Sequence, residues 1–432
     1  MTRLPRLRSA ATVRETGMTM ATDILPSQNA ADAAAIRCLL WARALRDFGD
    51  GFVAVLLPLY LTLLGFSPLQ IGLIATAALL GSALLTIGIG LMGVRVEHRR
   101  LLLAAALSMA ATGVAFALFD QLFVLFVIAF VGTVNPSGGS VSVFAPLEQT
   151  ILAGRVEAAE RTRIFARYSL VGALAGAAGA LAAATPDLLA AVGIGQLAAI
   201  KLMFALYAVL GLIGGHIYTR IPARPLPVHP QPAPTTARPA LGPSRRIVYR
   251  MAALFSLDSF AGGFMVQSLL ALWLFERFDL SLASASLFFF WSGVLSAFSF
   301  PVAAWLAKRI GLINTMVFTH APSSLCLIAA AFSPSLPVVL GLLLLRSALS
   351  QMDVPTRSSY VMAVVTEPER PAAASFTAVP RSITASISPM LAGALYGASL
   401  QALPLVLCGT LKIVYDILLL LQFRHMRPPE EQ

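Results

Sequence analysis

Arg43 and Asp47, and again Arg46 and Asp50, stand four residues apart in an otherwise apolar run, a spacing that lets opposite charges meet on one face of a helix. Glu148 and Asp258 sit in similar surroundings. Arg346, Ser350, Asp353 and Arg357 recur at helical spacing, and Arg381, Lys412 and Asp416 follow. Carboxylates so placed can carry protons, guanidinium groups can hold anions, and each can neutralise the other. For the first group two readings stand. The charges are an interfacial, self-neutralising set, or one aspartate, Asp47 or Asp50, takes and releases a proton. Lys412 and Asp416 have the spacing of a self-contained pair. His320 reads as a satisfied interior residue, with a proton relay as the alternative. Cys38, Cys326 and Cys408 are scattered in or beside apolar runs, without metal-ligand spacing. The sequence contains no GKS/GKT phosphate loop, HExxH or GxSxG. No metal, cofactor or enzymatic chemistry is therefore expected.

The elements that must carry these charges are membrane helices. Of 432 residues, 58% are hydrophobic and only 12% charged, against roughly a quarter charged in soluble domains. Leu69–Met92, Leu101–Phe119 and Ser281–Trp305 contain no Asp, Glu, Lys or Arg, and about 18 such residues suffice to cross the hydrocarbon core as a helix. Alternating strand patterns are absent, so a membrane β-barrel is not supported. The pattern predicts an all-α membrane protein of about twelve helices, near 42–64, 69–92, 101–119, 122–152, 163–184, 192–218, 250–274, 281–305, 312–333, 337–364, 372–396 and 402–423. Asn135-Pro136-Ser137-Gly138-Gly139 should interrupt the fourth, and Pro355 should kink the tenth. The small-residue run Gly172–Gly179 is expected to serve close packing.

A net charge of +11 invites a nucleic-acid reading, but the arginines lie in loops. Connections after even-numbered spans hold Arg95, Arg99, Arg100, Arg155, Arg161, Arg163, Arg220, Arg224, Arg238, Arg245, Arg246, Lys308, Arg309 and Arg370, whereas those after odd-numbered spans hold only Arg277. The positive-inside rule then places both termini in the cytoplasm of a cell with this protein in its inner membrane, and no nucleic-acid partner is implied. Residues 1–41 read as a cytoplasmic tail without a cleavable signal, Met18 and Met20 being alternative starts to Met1. Residues 219–249 are Pro-rich and separate two helical halves, 42–218 and 250–423, with a short cytoplasmic tail at 424–432. The halves correspond at a near-constant offset: Asp47 with Asp258, Arg95 with Arg309, Glu148 with Arg357, and Lys201 with Lys412.

The loop Gly90-Leu-Met-Gly-Val-Arg95-Val-Glu-His-Arg99-Arg100, and its second copy Ala304-Trp-Leu-Ala-Lys308-Arg309-Ile-Gly311, resemble the Gly-x-Leu-x-Asp-Arg-x-Gly-Arg-Arg loop of the major facilitator superfamily. The family's Asp is replaced by Val94 and by Lys308. The resemblance implies two pseudo-symmetric six-helix bundles and a monomer in the bilayer that moves a small solute by alternating access. It also implies that spans 1, 4, 7 and 10 line the central cavity. Those spans carry most of the intramembrane charges. Asp47, Asp50, Asn135, Glu148, Gln267 and Asp353 are therefore candidates for solute binding or proton coupling. Arg46, Asp258, Arg357 and Arg381 are candidates for a cytoplasmic gate, in which opposite charges on the two halves could pair.

A proton-coupled secondary transporter, with export favoured on family analogy, is the leading expectation. An importer of the same fold is the alternative, followed by a polytopic enzyme acting on lipid and by a receptor. A protease site inserted within 219–249 should be cut from the cytoplasmic face only, in spheroplasts against inverted vesicles; cleavage from the periplasm would overturn this topology.

Overall fold

The computed structural model describes residues 13–92, 96–138, 142–157, 160–221, 241–366, 369–424 and 426, all of them helical or in short connections. The helices are α1 (Val13–Leu63), α2 (Pro68–Met92), α3 (His98–Leu118), α4 (Leu122–Val131), α5 (Phe144–Ala153), α6 (Arg161–Ala182), α7 (Thr185–Ala191) and α8 (Gln196–Thr219), then α9 (Arg245–Gly263), α10 (Gln267–Phe278), α11 (Leu282–Ile310), α12 (Leu312–Phe332), α13 (Leu336–Ser350), α14 (Asp353–Val364), α15 (Arg370–Gly397) and α16 (Leu403–Phe423). Nine of these helices or consecutive helix pairs are long and apolar enough to cross a membrane among the described residues. With α1, the α4–α5 pair and α15 they form twelve spans in two six-helix bundles, the short α7 lying between spans 5 and 6. Arg95 and most of the Pro-rich segment, 222–240, lie outside the described residues.

Where the helices stop follows from local chemistry. Between α4 and α5 the chain leaves helical geometry from Gly132, through Gly138 at the end of this described stretch, as the Asn-Pro-Ser-Gly sequence requires. Asn135 Oδ1 accepts hydrogen bonds from Ser137 N (3.0 Å) and Ser137 Oγ (2.6 Å), a local turn that replaces helical bonds. Span 10 breaks at Gln351–Met352 rather than at Pro355 itself. Pro355 lacks the N–H that would bond the Gln351 carbonyl four residues earlier, so it falls in the first turn of α14, where no such donor is needed. The break divides the expected single face: Arg346 and Ser350 belong to α13, Asp353 and Arg357 to α14.

Two expectations need correction. Span 7 is not one helix over 250–274. It starts at Arg245 and breaks between Gly263 and Gln267, and α10 then runs to Phe278. No proline marks this break, and it is instead met from outside: Ser268 N donates to Pro136 O (3.0 Å). Span 1 begins far before residue 42, because α1 is 51 residues long and takes in much of the supposed tail, Met18 and Met20 included. Asp32 on this extension pairs with Arg155 after α5 at 2.9 Å.

The bundles meet along α2 with α15 and α6 with α11, and α1 also touches α10. Thr76 Oγ1 accepts from Met390 N (2.9 Å), and Asp187 Oδ2 from Ala283 N (3.2 Å). With the Pro136–Ser268 bond, these contacts lie from mid-depth towards the end that carries the α1–α2 turn. At the other end α5, α9 and α14 pack against helices of their own half. There Glu369 ties the chain just after the Pro-rich segment to the C-terminal half. Hydrogen bonds from Ser244, Thr366 and the Gly242 amide hold its carboxyl down, at about 2.

The small-residue run of α6 packs closely, as expected: a Cβ on Gly179 would overlap the carbonyl of Phe48 in α1, and one on Gly172 would overlap Arg43 and Asp47. Gly179→Ala should lower the thermal unfolding midpoint, the overlap with a backbone atom amounting to roughly 1–3 kcal/mol. Gly214→Ala on α8, with nothing within 4 Å, should be neutral or raise it. Equal effects of the two in detergent melts would refute this packing account.

Candidate functional site

Each half holds one buried cluster of charge. In the N-terminal half, α1 presents Arg43, Arg46, Asp47 and Asp50 to α5, α6 and α8. Arg43 Nε meets Asp47 Oδ2 at 2.7 Å, the predicted i, i+4 pair. The other predicted pair, Arg46 with Asp50, does not form. Arg46 turns instead to Glu148 Oε2 (3.0 Å) and Asp47 Oδ1 (3.4 Å), and its guanidinium lies 4.6 Å from the Phe144 ring centre. Glu148, fully buried on α5, accepts hydrogen bonds from Tyr168 OH on α6 and from Tyr218 OH on α8 (2.5 Å). A buried carboxylate needs such donors, and Glu148 has two hydroxyls and a guanidinium.

Asp50 is different. Among the described residues no cation is in ion-pair contact with it; its partner is Tyr207 OH, 3.1 Å from Asp50 Oδ1. Tyr207 OH also lies 3.1 Å from Thr133 O, in the unwound part of span 4. One hydroxyl proton cannot serve both acceptors. This cluster therefore holds three carboxylates against two guanidinium groups, and Asp50 is the unmatched one.

In the C-terminal half, Asp258 of α9 is the centre. Lys412 Nζ of α16 donates to its Oδ1 (2.6 Å), and Arg357 NH1 of α14 lies 3.3 Å from its Oδ2. Arg357 also pairs with Asp353 one turn away. The predicted Lys412–Asp416 pair is not made. Lys412 reaches Asp258 and His320 Nε2 (3.1 Å), while His320 Nδ1 faces Asp416 Oδ1 at 3.0 Å. An imidazole protonated on Nδ1 satisfies both neighbours, donating to Asp416 and accepting from Lys412. Arg381 of α15 donates from Nε to Ser259 Oγ (3.1 Å).

The structure thus brings Arg46, Asp47 and Glu148 together in one half, and Asp258, Asp353 and Arg357 in the other. The ion pairs of both clusters close within their own half, not across the halves as expected of a gate. Asn135 and Gln267 are also brought together, at the breaks of spans 4 and 7, where Gly138 (φ +65°) lies against the Gln267 side-chain amide. Lys201, matched to Lys412 in sequence, sits elsewhere, paired with Asp120 at 2.7 Å near the α3–α4 turn. In the cytoplasmic-loop motif, Gly90 lies in the last turns of α2 and Arg99 donates to Thr219 O (2.5 Å). Lys308 and Arg309 end α11, Arg309 stacking 4.2 Å from the Trp305 ring centre, and Gly311 (φ +87°) makes the turn into α12. Tyr168, Tyr207 and Tyr218 escaped sequence reasoning; their one signal was a hydroxyl in spans of apolar residues that had to find a polar partner.

Glu148→Ala should destabilise the fold by roughly 3–5 kcal/mol, because Arg46 is then buried without a counter-charge. Replacing both, as Arg46→Met with Glu148→Leu, should recover most of the loss in thermal melts. A double variant no better than the single would show that the pair is not the source.

The sequence profile of the Major Facilitator Superfamily matches residues 39–345 and 252–432. The uncharacterized membrane protein YJR124C of Saccharomyces cerevisiae is 24% identical over 419 residues, spanning 89% of this chain and 93% of that protein. Among solved structures, the POT family transporter PepTSo is similar with a TM-score of 0.70 at 12% identity, over 90% of this chain and 97% of that one. The nucleoside transporter NupG is similar with a TM-score of 0.68 at 12% identity, over 91% and 99%. A bacterial homologue of the human lysosomal transporter Spinster, in an inward-facing and unoccupied conformation, is similar with a TM-score of 0.65 at 13% identity, over 90% and 95%.

Proposed function

The chain belongs to the major facilitator superfamily, and on that premise we propose that it is a proton-coupled secondary transporter of a small solute, with Asp50 as the residue that takes and releases the proton. The observation that carries this reading is the environment of Asp50: a buried carboxylate inside the membrane span, with a tyrosine hydroxyl but no cation in contact. Unpaired intramembrane carboxylates are expensive, and a bound proton removes the charge. Through Tyr207 the same carboxylate adjoins Thr133 in the unwound segment of span 4, and that segment bonds α10 of the other half. Loss or gain of the proton is thereby linked to a contact between the halves.

The two halves meet at the end with the α1–α2 turn, which is the arrangement of an inward-facing state if the arginine-rich loops face the cytoplasm. In this reading the protein lies in an inner membrane with both termini inside. Asn135 and Gln267, at the facing helix breaks, contribute to the solute site with Asp47, Glu148 and Asp353 near it. Arg46, Asp258 and Arg357 act as the cytoplasmic gate by exchanging partners when the halves close. Export is favoured over import.

In proteoliposomes, Asp50→Asn should abolish accumulation driven by a pH gradient while leaving solute exchange across the membrane in place. Undiminished accumulation in that variant, or full activity after collapse of every ion gradient, would overturn proton coupling through Asp50.

A further inference from the structure

Arg381 lies within span 11, and its guanidinium is largely buried, yet among the described residues no carboxylate touches it. The hydrogen-bond partner it has among them is the neutral Ser259 Oγ. The nearby carboxylate, Asp258, is already engaged by Lys412 at 2.6 Å and Arg357 at 3.3 Å. Arg381 does not face lipid. The exposed apolar residues Ile383, Ile387 and Leu391 mark the lipid side of α15, whereas Arg381 shares the opposite side with Thr384 and Ser388, both of which hydrogen-bond α9 backbone carbonyls. The buried nitrogens of Arg46 and Arg357 are sealed from solvent without well-aligned bonds, but the terminal nitrogens of Arg381 are not among those sealed atoms.

A guanidinium cannot lose its proton in this setting, so its charge must be answered by a partner or by water. We propose that the answering charge comes with the cargo: the transported solute is an organic anion whose carboxylate, sulfonate or phosphate group is bound by the terminal nitrogens of Arg381. This rests on the transporter reading above and adds the class of solute. It also places, among the described residues, a carboxylate without a cation in contact and a guanidinium without a carboxylate in contact on opposite halves, Asp50 for a proton and Arg381 for an anion.

The test uses the full-length protein in phosphatidylcholine nanodiscs, which exclude anionic headgroups as a rival ligand. Thermal unfolding is followed with a panel of aromatic and aliphatic mono- and dicarboxylates, sulfonates and phosphate monoesters, each beside its neutral amide, sulfonamide or alcohol. Members of the anionic set should raise the unfolding midpoint and their neutral counterparts should not. Arg381→Gln should lose that rise while keeping its own midpoint, and Arg381→Lys should keep part of it. Asp50→Asn should retain the rise, which separates anion binding from proton coupling. If no anion stabilises the protein, if neutral counterparts stabilise it equally, or if Arg381→Gln still responds, the inference is wrong. Should a neutral solute prove to be accumulated by wild type and not by Asp50→Asn, the coupling stands and the anion site falls.

Discussion

A charge held among apolar helices must be matched where it sits, because neither lipid nor packed side chains can solvate it. That constraint organises this protein more than any packing detail. Arg46 leaves its sequence neighbour Asp50 for Glu148, which itself draws two tyrosines from spans 5 and 6. Asp258 gathers Lys412 and Arg357 from spans 12 and 10, and His320 relays between Lys412 and Asp416. Each half thereby gains a polar core at a similar depth, built from unlike residues. Spans 1, 4, 5 and 6 in one half and spans 7, 9, 10 and 12 in the other are pinned to one another by these bonds as well as by the apolar contacts around them.

Self-contained halves suit a molecule whose halves must rock. If the buried charges of one bundle depended on the other, every separation would strand them. With the clusters closed internally in this state, the contacts between the halves fall mostly on small residues and backbone: Gly72 against Pro389 and Gly393, Thr76 against Met390, Pro136 against Ser268, with Asp187 against the Ala283 amide beside them. Such contacts are lost and remade with little change in electrostatic energy. Asp50 and Arg381 stand apart from these clusters, each held by a hydroxyl and, among the described residues, by no opposite charge in contact.

Much of the architecture was legible in the sequence, since long uncharged runs and loop arginines report helix number through a single physical rule each. The break in span 4 was legible for the same reason: Asn135-Pro136-Ser137-Gly138 cannot hold a helix. The break in span 7 was not, because nothing between Gly263 and Gln267 forbids helix, and the Ser268 amide finds its acceptor in a residue more than a hundred positions away. The charged residues do gather in the fold, but of the pairs named from their spacing only Arg43–Asp47 forms. Spacing of four residues made Arg46–Asp50 and Lys412–Asp416 look self-sufficient, whereas tertiary neighbours at 3.0 Å and 2.6 Å outcompeted both. Local spacing says which charges can meet, and only the fold says which do.

The continuity of α1 has a mechanical consequence. Span 7, its counterpart, is jointed, but α1 runs without a break from its outer extension past Asp50 to Leu63. At 1.5 Å per residue, Asp32 and Asp50 are about 27 Å apart along one stiff rod. The Asp32–Arg155 pair fastens the outer end of that rod to the connection after α5. A pull or a bound weight on the extension is therefore delivered as torque to the segment bearing Asp50, with little lost to bending. Among the described residues, the N-terminal half thus carries a continuous lever on its first span, whereas span 7 of the C-terminal half is jointed at Phe264–Val266.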